Sequence, residues 1–344
     1  MTNPLIARRA IGCCVALMLA GCGGSQPPIA APGAMPQSHA AATHAERGGS
    51  WMLPPMEGHK SVLIYASGVY GGVYVYDYFT GKQLGKLTGP GGPMCVDAKG
   101  NIYVAQNDGT TLEYAHGDTK IFQKYTSGAT SIGCSVDARN DLAVTRESGV
   151  VTVFAGGDPS KRKTYSNPSC GPGMFAMGYD DKGNLLGLND VKLPVTVCAL
   201  LAGSKSETTL KTKSFEINAP GHTMWDGKYI TLTDQAIHGK HSYHDGIVEA
   251  SLSGSTLTSH GEPILTDTCD KGGGTDIVSP FILGERNTPV NHLQGKVIVA
   301  INSVCTAAGI YEIEFWHYPR GGDPYKVYKV SLPLSGVGTV SIGY

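Results

Sequence analysis

A unit of about forty residues recurs along this chain and constrains its fold more than any other feature. Six short β-rich segments, each ending in a polar residue, align with one another: VLIYAS (62–67), NIYVAQ (101–106), DLAVTR (141–146), NLLGLN (184–189), YITLTD (229–234) and VIVAIN (297–302). A turn opening on an aspartate precedes four of these segments. Those aspartates lie 40, 43 and 46 residues apart: Asp97, Asp137, Asp180 and Asp226. Each can accept hydrogen bonds from the backbone two residues further on, which gives it a structural role in the turn.

Each aligned segment is followed by a second strand rich in aromatic and β-branched residues, such as GVYVYDY (72–78), and then by a more polar one, such as TKIFQKY (119–125). Four strands per unit and a period near forty are typical of a β-propeller blade. We therefore predict an all-β, six-bladed propeller over residues 58–344. Seven blades is the alternative, which requires further strands within 255–295.

The two ends of the domain are predicted to share one blade. The copy at residue 62 lacks its innermost strand, and VGTVSIGY (337–344) is a strand without a partner in its own unit. Pairing the two closes the ring and leaves no open sheet edge in it.

The turns VDAKGN (96–101), VDARND (136–141) and YDDKGN (179–184) resemble those of NHL and YVTN repeats and of gluconolactonase-like six-bladed propellers. The whole layout also resembles a broad set of bacterial lipoproteins with NHL-like propellers. Lactonase-type propellers hold a divalent cation at the channel mouth with Glu, Asn and Asp side chains. The resemblance therefore implies a metal-dependent hydrolase as one possible function.

The N-terminus has the features of a targeting segment. Arg8 and Arg9 precede an apolar stretch over 10–20, which is too short to cross a membrane and has the length of a signal-peptide core. It ends in Leu19-Ala20-Gly21-Cys22, which resembles the lipobox of bacterial lipoproteins. We predict a signal peptide over 1–21, lipidation of Cys22, and a flexible linker rich in Pro, Ala and Gly over 22–57.

These features predict a location outside the cytoplasm, in the cell envelope, with the membrane contacted through the lipid. Gly23, which follows the lipid-bearing cysteine, favours the outer membrane if the host has two. The 27 basic and 28 acidic residues nearly balance. This argues against a nucleic-acid partner, because phosphate binding needs a concentrated basic surface.

Six cysteines lie beyond the signal segment and Cys22, and six allow fifteen pairings. Cys95 and Cys134 fall on equivalent innermost strands of neighbouring blades, two and three residues before their turn aspartates, so their side chains face one another across the interface. Cys170 and Cys198 both belong to the fourth blade. Cys269 and Cys305 are expected at one rim of the sixth. An exported protein favours a disulfide in each pair.

Function in a propeller is expected where loops of several blades converge on the central channel. The last residues of the six aligned segments should form one polar ring there, and we name them the polar ring: Ser67, Gln106, Arg146, Asn189, Asp234 and Asn302. Oxygen ligands in this ring suit a hard ion such as Ca²⁺. His238 and His241 follow Asp234 at a spacing that could bring both imidazoles to one Zn²⁺.

Two functions remain open at this stage. The first is a non-catalytic module that binds a protein or glycan and uses no cofactor. The alternative is a lactonase-like hydrolase with Ca²⁺ or Zn²⁺ at the channel mouth. The polar residues of the ring fit either function, and the sequence contains no Gly-x-Ser-x-Gly motif and no phosphate-binding loop.

Overall fold

The fold is an all-β ring of six small sheets, seen in a computed structural model that describes residues 62–67, 71–166, 170, 175–189, 195–238, 243–266, 277–283, 296–302, 310–331 and 339–343. A single 3₁₀ turn, Ala155–Gly157, interrupts the strands of these segments. No helix among the described residues is long and apolar enough to cross a membrane.

Each sheet is a blade, and its strands are numbered here from the channel outward. Blade 1 contains β26 (Thr339–Gly343), β1 (Leu63–Ser67), β2 (Val73–Asp77) and β3 (Gln83–Lys86). Blade 2 contains β4 (Met94–Val96), β5 (Ile102–Ala105), β6 (Thr110–Tyr114) and β7 (Ile121–Thr126). Blade 3 contains β8 (Ser131–Val136), β9 (Leu142–Arg146), β10 (Val151–Phe154) and β11 (Arg162–Tyr165).

The other three blades follow the same order, with additions in the fifth. Blade 4 contains β12 (Phe175–Tyr179), β13 (Leu185–Asn189), β14 (Thr196–Leu200) and β15 (Thr208–Thr209). Blade 5 contains β17 (Pro220–Trp225), β18 (Ile230–His238), β19 (Tyr243–Ser253) and β20 (Thr256–Gly261), extended by β16 (Lys211–Lys213) and β21 (Ile264–Leu265). Blade 6 contains β22 (Ile277–Leu283), β23 (Lys296–Asn302), β24 (Ile310–Tyr318) and β25 (Lys326–Ser331).

The predicted closure of the ring is confirmed. β26 pairs antiparallel with β1 from Leu63↔Gly343 to Ser67↔Thr339, so the last strand of the chain becomes the innermost strand of the first blade. The seven-blade alternative is wrong. The described strands within 255–295 complete other blades, because β20 and β21 belong to blade 5 and β22 is the innermost strand of blade 6.

The core lies between the blades. The described residues contain six hydrophobic clusters, and each joins two neighbouring blades. Ile64 packs toward blade 6 and Leu63 toward blade 2, because successive side chains of a strand point to opposite faces of its sheet. Every residue of β1 is therefore buried. This explains why the aligned segments are nearly continuous apolar runs and do not alternate with polar residues.

Two of the three predicted disulfides are confirmed. Cys95 and Cys134 join the innermost strands of blades 2 and 3, and Cys170 joins Cys198 within blade 4. The third pair, Cys269 and Cys305, lies outside the described residues. The two observed bridges close loops of 39 and 28 residues in sequence separation. Each should stabilise the fold by about 3–4 kcal/mol through the entropy it removes from the unfolded chain.

Removal of residues 338–344 deletes β26 and tests the closure. We expect the free energy of unfolding to fall by about 5 kcal/mol, because β26 pairs with β1 at five positions and each backbone hydrogen bond contributes about 1 kcal/mol net. Urea unfolding followed by circular dichroism measures this change. A chain lacking only residues 23–50 is the control and should unfold like the intact protein. Equal stability of the β26-deleted chain would contradict the closure.

Candidate functional site

Four similar turns frame one mouth of the channel, which we call the Asp-turn end. Each turn joins the first strand of a blade to the second. In all four, the aspartate accepts a hydrogen bond from the backbone N–H two residues on: from Lys99 to Asp97, from Arg139 to Asp137, from Lys182 to Asp180 and from Lys228 to Asp226, at 2.6–2.9 Å. The structural role predicted for these aspartates is thereby confirmed.

A cavity of about 400 Å³ lies against the first strands of blades 2 to 5 and reaches the Asp turns. The Cys95–Cys134 bridge, Met177, His222 and Trp225 contribute to its wall. The wall is therefore largely apolar in its depth and is ringed by carboxylates at the mouth. Those carboxylates are already engaged as acceptors by their own turns, so the mouth offers few open oxygen ligands.

His222 is the imidazole on this wall. Burial disfavours its charged form and lowers its pKa to about 4. The ordinary histidine pKa is about 6.5. The unfolded chain therefore binds more protons at this residue than the folded chain does between pH 6.5 and pH 4. It follows that His222 makes the fold less stable as the pH falls through this range.

Replacing His222 by Gln should reduce this pH dependence. The drop in the free energy of unfolding between pH 7 and pH 4.5 is expected to be smaller than in the unaltered protein, by up to about 2 kcal/mol. Urea unfolding at a series of pH values measures it. The exposed His260, which bonds to Ser251 on the outside of blade 5, supplies the matched control His260→Gln. An unchanged slope in His222→Gln would contradict the burial of this ring.

The polar ring lies at the other end of the channel, as its position at the ends of the second strands requires. Five of its six side chains are buried and Arg146 is partly buried. Four of them bind the backbone of the segment that leads into the first strand of their own blade. The pairs are Gln106 with Pro90, Arg146 with Ser127, Asn189 with Cys170 and Asp234 with Ala219. These side chains thus fix the loops around this mouth.

The remaining two ring members also make internal hydrogen bonds. Ser67 Oγ accepts the N–H of Gly92, which leads into blade 2, at 2.8 Å. Asn302 donates through Nδ2 to Glu314 Oε1 at 3.3 Å. The ring therefore acts in this structure as a set of loop anchors, which the sequence pattern alone did not reveal.

Asp234 was the common member of both predicted metal sets. Its carboxylate accepts three hydrogen bonds: the backbone N–H of Ala219 at 2.9 Å, the backbone N–H of Asn218 at 3.1 Å and Asn218 Nδ2 at 3.3 Å. Glu262 lies nearby, and its pKa is raised by burial and by the charge of Asp234. The side chain of His238 and the whole of His241 lie outside the described residues. The described part of the chain contains no group of three or more His, Cys, Asp or Glu suited to a metal ion.

A repeated feature of the Asp-turn end was missed from the sequence. An exposed base stands two residues after the aspartate in each of the four turns: Lys99, Arg139, Lys182 and Lys228. The turns between third and fourth strands open at the same end, and five of them also carry an exposed base: Lys82, Lys120, Lys161, Lys205 and Arg320. The exposed acids of these described turns are Asp181 and Asp323. The signal was present in the repeat, but a near-neutral total charge hid it.

The opposite end carries the other sign where its turns are described. The turns between second and third strands of blades 2 and 3 expose Asp108 and Glu147. The two ends of the ring therefore differ in exposed charge. A difference of this kind makes the two ends unequal toward a charged partner.

Comparison with known proteins defines the class as a six-bladed β-propeller. No protein-family model matches the sequence, and no curated protein matches it. The chain is similar to a structure described as a nidogen/laminin complex, with a TM-score of 0.52 and 9% identity, over 82% of this chain and 98% of that one. The Cps50 (Swd1) β-propeller domain of Myceliophteria thermophila gives 0.49 at 14% identity, over 80% and 84%. Identities this low show the fold alone.

Proposed function

We propose that this protein is a lipid-anchored propeller of the cell envelope that binds a protein or glycan through its polar-ring end and performs no chemistry there. The lipobox-like Leu19-Ala20-Gly21-Cys22 and the Pro-rich segment that follows it support the anchor and the linker over 22–57. The Asp turns support a place among the NHL-like propellers of bacterial lipoproteins. Gly23 supports the outer membrane, if the host has two membranes.

The observation that carries the proposal is the use of the polar ring to fix loop backbone. Gln106, Arg146, Asn189 and Asp234 each bind the segment entering their own blade. Loops held in this way lose little conformational entropy when a partner binds, so a moderate contact area can give useful affinity. Fixed loops around a ring are what a recognition surface requires.

The same observation weighs against the lactonase-like alternative. A cation at Asp234 would have to compete with three hydrogen-bond donors from Asn218 and Ala219. Breaking bonds to a buried carboxylate leaves the donors unsatisfied, at about 1–3 kcal/mol each. The binding function needs no such rearrangement.

Photocrosslinking in intact cells tests the binding surface. A photoreactive amino acid placed at Asn107 or at Ser148, both exposed in turns at the polar-ring end, should give discrete adducts with a protein or glycan. The matched control is the same amino acid at Thr164, which is exposed on the outer strand β11 of blade 3. Adducts at the first two positions and not at the control are the expected result. Equal adducts at all three, or none at any, would contradict the proposal.

Metal analysis separates the binding function from the hydrolase. Protein purified without chelator is expected to contain no stoichiometric Ca²⁺ or Zn²⁺. A stoichiometric metal that is lost in Asp234→Ala would overturn the non-catalytic proposal. Mass spectrometry of the N-terminal peptide tests the anchor separately, since it should show acyl chains on Cys22.

A further inference from the structure

Three aromatic side chains project from the Asp-turn end of three consecutive blades. They are Phe79 of blade 1, Phe122 of blade 2 and Tyr325 of blade 6, with 47%, 71% and 44% of their surfaces exposed. Blade 1 lies between the other two, because its strand β1 packs against blade 6 through Ile64 and against blade 2 through Leu63. Exposed aromatics are costly in water, and three on adjacent blades form a surface that calls for a partner.

These rings are held in place by the fold. The turn that carries Phe79 is fixed because its backbone carbonyl accepts hydrogen bonds from Tyr328 Oη at 2.5 Å and from Lys326 Nζ at 3.3 Å. The ring of Tyr325 is stacked on His317, with the ring centres 4.2 Å apart. The aromatic surface is therefore presented by rigid turns of the outer strands.

An exposed base accompanies each ring at two to five residues in sequence: Lys82 beside Phe79, Lys120 beside Phe122, and Arg320 beside Tyr325. We name these six residues the entry patch. The acids closest in sequence are largely turned inward. Asp77 and Asp118 cap their own turns through backbone N–H groups, and the exposed Asp323 accepts a hydrogen bond from Thr266 Oγ1. The charges that project furthest from the patch are thus positive.

The chain enters the propeller at this same patch. In blades 2 to 5 the second strand begins directly after the Asp turn, and β1 is the second strand of blade 1. Residue 62 therefore lies at the Asp-turn end, on the middle one of the three blades. Sixty-one residues precede it, including Cys22. Whatever membrane Cys22 is attached to is reached from this side of the ring.

We infer that the entry patch seats the propeller on an anionic membrane surface. The inference rests on the proposed lipid anchor, which it deepens by giving the domain an orientation. Aromatic rings and the stems of basic residues together suit the interface between water and lipid, where the rings enter the headgroup layer and the cations meet anionic headgroups. The patch combines both kinds of side chain around the point of attachment.

The anchor makes a weak patch sufficient. A flexible linker over 22–57 would have a root-mean-square span of about 33 Å, so the domain never moves far from the surface. A linker of this kind holds the patch near the lipid at an effective concentration on the order of millimolar. Docking then points the polar-ring end away from the membrane, toward the ligand that the proposed function requires.

Lysine labelling of the full chain in vesicles tests the inference. Protein reconstituted in phosphatidylcholine vesicles is compared with protein in vesicles containing about 30% phosphatidylglycerol, using a membrane-impermeant acylating reagent and mass spectrometry. Labelling of Lys82 and Lys120 should fall at least threefold in the anionic vesicles and recover in high salt. Lys163 and Lys211, exposed on outer strands β11 and β16, are internal controls and should not change.

A double variant, Lys120→Gln with Phe122→Ser, should abolish the protection of Lys82. The matched variant, Lys163→Gln with Lys211→Gln, removes two charges elsewhere and should keep it. Circular dichroism checks that both variants are folded. Protection of Lys82 that survives in the first variant, or equal labelling in the two kinds of vesicle, would overturn the inference.

The same spectra separate this inference from the proposed anchor. Cys22 without acyl chains, together with protection of Lys82 in anionic vesicles, would refute the anchor and support the patch. Acylated Cys22 with no protection would refute the patch and support the anchor. Equal protection by soluble polyglutamate without vesicles would assign the surface to an acidic polypeptide and overturn the membrane assignment.

Discussion

The pairing of β26 with β1 is the interaction on which the rest of the structure depends. Each blade buries both faces of its strands against its neighbours, so no blade has a complete core of its own. A ring of such blades is stable only when its first and last members meet. Pairing from Leu63↔Gly343 to Ser67↔Thr339 joins the two ends of the domain in one sheet. Opening at either end therefore requires the whole ladder to break, which couples the stability of all six interfaces.

The closed ring also sorts the functional surfaces into two ends. At the polar-ring end, side chains such as Gln106 and Asn189 fix the loops that enter each blade. At the Asp-turn end, the aspartates fix their own turns and project bases such as Lys99 and Lys182 into solvent. One four-stranded unit thus produces a rigid loop surface on one side and a basic surface on the other. Repetition around the ring multiplies both.

Much of the fold could be predicted because it is written in local patterns. The period of the Asp turns predicted the blades, the unpaired strand at 337–344 predicted the closure, and a one-residue offset between Cys95 and Cys134 predicted their bridge. The site was less accessible. The ends of the second strands predicted where Asp234 would lie, but its bonds to Asn218 and Ala219 depend on loop geometry that no periodicity encodes. The aromatic surface was missed because its members come from three blades far apart in sequence.

Hydrogen exchange of the backbone amides tests the central claim most directly. If closure couples the ring, amides of β26 and of β1 are protected together and exchange only with global unfolding, at the same free energy as amides of β5 or β9. Amides of residues 339–343 that exchange rapidly while β5 and β9 remain protected would contradict the account, because the last strand would then contribute nothing to the closure of the ring.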